Sequence, residues 1–185
     1  RKVLIIGEMP ISAYTYADFK RTEFCVYNSN TFQFLAATQK KPKIHLFINT
    51  GMNREGIKNL NSFLENNQQF LSQVEITGLC SHLAMADHHP SPYNDEQIRQ
   101  FLENLEILHH YNINPQWVHI GNSAALFFLR DSRFTAFRTG IALYGYPSFD
   151  INQTPFQNAA ELKPALEIYS KIVSRQEIEE GEIVS

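Results

Sequence analysis

Ile44-His45-Leu46-Phe47-Ile48, then a stripe of Ile57, Leu60, Phe63, Leu64 and Phe70, then Val74-Glu75-Ile76-Thr77-Gly78-Leu79: the reading of residues 44–79 decides the fold. The two end runs are short, rich in β-branched or aromatic residues, and bounded by polar or glycine signals, as buried parallel strands are. The stripe between them recurs at helical spacing. Strand, helix and strand in this order make a βαβ unit. Outward from it, Val3 to Gly7, Phe24 to Tyr27, Trp117 to Ile120 and Phe137 to Tyr144 are further strand-like runs. Ser29 is expected to cap a helix carrying Phe32 and Leu35, and Asn94 one carrying Ile98, Phe101, Leu102, Leu105 and Leu108. Residues 124–129 read as a short helix, and His109-His110 close the long one, where a cation meets the helix dipole favourably. Alternation in units of about 25 residues gives an α/β protein, a partial (βα)8 TIM barrel if the repeat closes.

The chain has 185 residues, 43% hydrophobic and 12% aromatic, enough for one domain with a real core. Charged residues make up 19% and the formal net charge is −3, so there is no basic stripe and no nucleic-acid partner is expected. No apolar run approaches the ~20 residues that cross a bilayer, and the first residues carry no signal-peptide pattern; a cytoplasmic protein without a membrane partner is expected. Cys25 and Cys80 each sit in an apolar run and read as reduced core thiols. After Tyr146 the texture changes: 147–158 is loop-like, 166–175 alternates like an antiparallel strand, 179–182 marks a turn and 183–185 starts another strand.

Functional groups in parallel βα folds collect where strands end. Asn122-Ser123 before a short helix, with Gly140 permitting close backbone approach, suits a phosphate; a plain helix cap and a plain turn explain the same residues. Arg54 and Arg138 are strand-end cations, and His82 is either a site residue or a satisfied core histidine. His82, Asp87, His88 and His89 have metal-ligand chemistry, yet adjacent histidines in a proline-rich stretch point apart, and no metal is expected. Nucleophile elbows, glycine-rich nucleotide loops and paired-cysteine metal motifs are absent.

In order along the chain, Asn49-Thr50-Gly51-Met52-Asn53-Arg54-Glu55-Gly56-Ile57, Gly78 to Asp87, His119-Ile120-Gly121-Asn122-Ser123-Ala124 and Arg138 to Gly145 resemble bacterial alanine racemase, and 180–185 resembles the entry to that family's C-terminal β-domain. The resemblance implies a pyridoxal 5′-phosphate barrel followed by a β-domain, working as a homodimer that interconverts L- and D-alanine for cell-wall synthesis. The cofactor acts as electron sink in an aldimine with the amino acid, and α-proton transfer needs a base on each face. By the same resemblance Arg138 faces the pyridine nitrogen, which stays unprotonated because an arginine does not hand over its proton. His82 supports Arg138, and Arg54 lies near the cofactor phenolic oxygen and the substrate carboxylate. Ser123, Gly140 and Ile141 hold the phosphate, with Asn122 beside them.

Departures from the family pattern are specific. Its carbamylated lysine falls on Phe47, Asn49 stands where Asp is common, and Gly121 where Ala is common. The Schiff-base lysine belongs upstream of these segments, none of the lysines at 2, 20, 40, 41, 43, 58, 163 or 171 has its context, and the tyrosine base would follow Ser185. The expectation is an internal fragment: residues 1–160 as barrel strands three to eight, residues 161–185 as the start of the β-domain, inactive alone and prone to associate through open strand edges. Three rival functions remain: a serine or broad-specificity racemase, a non-catalytic pyridoxal-phosphate-binding homologue suggested by Phe47, and a metal-dependent barrel hydrolase.

Overall fold

The computed structural model describes residues 2–147, 149, 150, 152, 159 and 161–184. Five strands, β1 (Val3–Ile5), β2 (Thr22–Val26), β3 (Lys43–Phe47), β4 (Glu75–Cys80) and β5 (Trp117–His119), pair in chain order, every pair parallel. The result is a half-barrel, the partial TIM barrel expected. Its two faces follow the period-2 alternation of side chains. Phe24, Val26, Ile44, Leu46, Leu79 and Val118 join the main core with the helices. Cys25, Tyr27, Phe47 and Cys80 form a second apolar cluster, against which Leu4 packs. Cys25 and Cys80 are free buried thiols with Sγ atoms 3.6 Å apart, as their apolar runs implied.

Four α-helices among the described residues cover the outer face: α1 (Ser29–Ala37), α2 (Leu60–Asn66), α3 (Pro92–His110) and α4 (Ala125–Phe128). Two caps differ from expectation. Asn28, not Ser29, caps α1, its Oδ1 accepting from the Thr31 N–H at 3.0 Å. α3 begins two residues before the expected cap, because Pro92 has no N–H to satisfy and a φ already suited to a helix start. Asn94 is therefore buried inside the first turn and donates to the Met85 carbonyl at 2.9 Å. His109 and His110 do close α3.

The expected sixth strand does not form. The chain from Thr135 to Arg138 runs beside β5, with Thr135 N–H donating to Val118 O and Arg138 N–H to Gly121 O. The Val118 N–H, however, goes to the Thr135 hydroxyl at 2.9 Å, so no backbone ladder develops. Ile141–Tyr144 then coils into a 3₁₀ turn entered at Gly140. The expected strand at 166–175 is also not formed: the segment makes no ladder, and Ile172 and Val173 are 87% and 96% exposed. Alternation marks a strand only when the segment pairs with a neighbour. The turn at Glu180-Gly181 is present, whereas Ile183 and Val184 are in no strand and Ser185 lies outside the described residues. Of the expected loop 147–158, residues 148, 151 and 153–158 lie outside them too.

Candidate active site

Alternation along β2, β3 and β5 turns Glu23, His45 and His119 to the inner face, where they form a buried hydrogen-bonded row. Arg138, from the segment beside β5, ends it. Its Nη1 reaches His119 Nδ1 at 2.6 Å and His119 O at 3.0 Å; its Nη2 reaches Ser81 O at 2.5 Å and His82 Nδ1 at 3.2 Å. A guanidinium can only donate, so both imidazole Nδ1 atoms accept. Neutral His119 then carries its proton on Nε2 and donates to His45 Nδ1 at 2.8 Å; His45 in turn donates from Nε2 to Glu23 Oε2 at 3.1 Å. Thr77 donates to the same oxygen at 2.7 Å. The row thus runs in one direction from cation to carboxylate through two neutral rings. Four of the five Arg138 N–H groups have partners among the described residues, and the Nε–H is left over.

The electrostatics agree with this tautomer assignment. Burial above all, then the Arg138 charge, pushes His119 down to about 2 and His82 down to about 4, with Arg54 contributing to His82. Burial lowers His45 against the opposing pull of Glu23. For Glu23 burial acts upward, but the hydrogen bonds from Thr77 and His45 outweigh it and hold the carboxyl below its usual range. The loop carrying Ser81 and His82 is fixed from α3. Gln97 donates to His82 O at 3.0 Å and to Thr50 Oγ1 at 3.3 Å, while Thr50 bonds Ser81 Oγ at 2.8 Å.

The remaining expected residues fall into two groups. Ser123 Oγ accepts from the N–H groups of Gly140 at 3.0 Å and Ala142 at 3.3 Å, which joins the end of β5 to the 3₁₀ turn that starts at Ile141. A side chain at Gly140 would meet nothing within 4 Å, so open space faces this backbone. Asn122 Oδ1 accepts from the Ala125 N–H at 3.1 Å, at the first residue of α4. Arg54 lies in the exposed loop after β3, paired with Glu55 at 3.2 Å, its side chain 57% exposed. Phe47 is buried, its ring 4.8 Å from that of Tyr27. At Gly121 an added Cβ would lie 2.5 Å from the Phe137 ring, which occupies the space an alanine methyl would need. The metal grouping does not assemble: His88 pairs with Asp87 in solvent, His89 stacks on Phe128, and no cluster of three ligands occurs among the described residues. Glu23, His45 and His119 were not expected as site residues. The available signal was polar side chains at inward positions of otherwise apolar strands.

A family model, alanine racemase N-terminal domain, matches residues 1–148. The chain belongs to this family. Alanine racemase of Borreliella burgdorferi (strain ZS7) is 37% identical over 156 residues, covering 81% of this chain and 40% of the relative. That of Clostridium novyi (strain NT) is 32% identical over 196 residues, covering 99% and 48%. The structure of alanine racemase from Clostridium difficile 630 in complex with cycloserine superposes with a TM-score of 0.77 at 26% identity, over 87% of this chain and 45% of that one. The chain therefore spans 40–48% of the length of these curated relatives.

Proposed function

We propose that this chain supplies the cofactor-nitrogen and phosphate contacts of a pyridoxal-phosphate-dependent amino-acid racemase, with alanine as substrate. The observation that carries the reading is the Arg138 guanidinium, held on four sides with one N–H to spare at the inner face of the half-barrel. The residues present suit the group: a fixed donor for a ring nitrogen, and the Ser123–Gly140–Ile141 turn with open space in front of Gly140 for a phosphate. When bound, the cofactor supplies an electron sink for the α-carbanion of an amino acid. Family membership and the cycloserine complex of a relative support a small amino-acid ligand.

Arg138 would donate its Nε–H to the pyridine nitrogen and leave it unprotonated, since a guanidinium does not hand its proton over. His119, His45 and Glu23 orient the guanidinium, and His82 limits its rotation from the other side. The Ser123 hydroxyl and the backbone at Gly140 and Ile141 would hold the phosphate, with Asn122 fixing the start of α4 beside them. Arg54, positioned by Glu55 in place of a residue at Phe47, would face the phenolic oxygen and substrate carboxylate. The complete protein is read as a cytoplasmic homodimer that provides D-alanine for cell-wall synthesis.

In the complete protein containing this chain, Arg138→Gln is expected to lower L- to D-alanine conversion by about 10²–10³-fold. Polarimetry or a coupled D-alanine assay reads it; an unaltered rate would overturn the assignment, and faster turnover of serine by the unaltered protein would change the substrate. None of the site residues named is a lysine. The 185-residue chain alone is therefore expected to convert no L-alanine, and protein-dependent conversion would refute that.

A further inference from the structure

One buried polar atom on the inner face has no use in the site described so far. Tyr27 follows β2 and is 6% exposed, and its hydroxyl has no hydrogen-bond partner among the described residues. Burying a hydroxyl unpaired is unfavourable, and native structures rarely do so without a reason. Packing supplies none. The ring lies against Phe47 at 4.8 Å in a cluster with Cys25 and Cys80, and phenylalanine would fill the same space.

We infer that the Tyr27 hydroxyl, just past the C-terminal end of β2, donates a hydrogen bond to an anionic oxygen of the ligand held at the strand ends; this rests on the cofactor reading above. Two oxygens of that ligand set qualify, the phenolic oxygen of the cofactor and the carboxylate of the amino acid. Both are acceptors, and Tyr27 keeps its proton to donate: burial raises its pKa first, Cys25 and Glu55 add to the rise, and Arg138 opposes it.

The test compares the complete protein with its Tyr27→Phe variant. Each is titrated by absorbance with pyridoxal 5′-phosphate and with the 3-deoxy analogue, which lacks the phenolic oxygen; the loaded proteins are then titrated with acetate as a carboxylate probe. Thermal unfolding is measured without cofactor. The expected variant melts at the same temperature or higher, since it loses an unpaired hydroxyl and keeps the ring. A contact to the phenolic oxygen weakens pyridoxal 5′-phosphate about three- to tenfold and leaves the analogue unchanged. A contact to the carboxylate weakens acetate by that factor and leaves both cofactors unchanged. Equal affinities for all three probes overturn the contact and point to a trapped water, and a lower cofactor-free melting temperature overturns it in favour of a structural role. Failure of the unaltered protein to bind pyridoxal 5′-phosphate overturns the cofactor reading itself.

Discussion

His119 and His82 must be neutral to accept from Arg138, because a protonated imidazole has no lone pair to offer. That requirement makes folding depend on pH with a definite sign. In the unfolded chain both rings titrate near the ordinary value of about 6.5. In the folded protein burial and the Arg138 charge hold His82 at about 4 and His119 at about 2. As pH falls below about 6.5 the unfolded state takes up protons that the folded state refuses, so stability falls with it. The lowered Glu23 carboxyl acts in the same direction. The urea midpoint is therefore expected to drop steadily from pH 7 to pH 4, and His119→Gln should flatten the slope; a pH-independent midpoint would contradict the neutral row. Arg138 and His82 were legible as strand-end residues, whereas His45 and His119 lie inside apolar runs and Glu23 just before one. Only their common inward direction, across three strands far apart in sequence, makes a site of them.

At the scale of elements, β3 and β4 meet where Gly78 faces His45, and their register shifts between Ile44 and His45. A Cβ on Gly78 would lie 2.3 Å from the His45 ring. Gly78→Ala is expected to destabilise the fold by about 1–3 kcal/mol, the usual range for overpacking, and to push His45 away from His119. Chemical denaturation measures the first effect, and the histidine ring resonances in NMR spectra the second. The α3 stripe was readable because helical periodicity is local: Phe101, Leu105 and Leu108 are all buried. Its start was misread because Asn94 has the chemistry of a cap, while Pro92 two residues earlier fixes the geometry. The run after β5 was misread for a different reason. Its composition suits a strand, but the Thr135 hydroxyl takes the Val118 N–H that a strand would have needed.

For the whole molecule, the parallel sheet ends at an unpaired β1 on one side and, on the other, at β5 flanked by the 135–138 segment; between them lies a cavity of about 260 Å3 lined by Leu4, Glu23, His45, His119 and Arg138 among others. The unpaired β1 edge and exposed apolar side chains such as Val3, Ile172 and Val173 favour self-association. The 185-residue chain is expected to sediment as dimers or larger species, and a stable folded monomer would refute this. What the sequence determined by itself was the alternating order of strands and helices, and the family. Those depend on local periodicity and on motifs that each occupy a few consecutive residues. Only the tertiary structure decided which run became a strand, that Arg54 pairs with Glu55, and that two histidines, a glutamate and an arginine form one directed row. Such outcomes depend on which donors and acceptors remain unpaired once distant segments meet, and that competition is invisible along the chain.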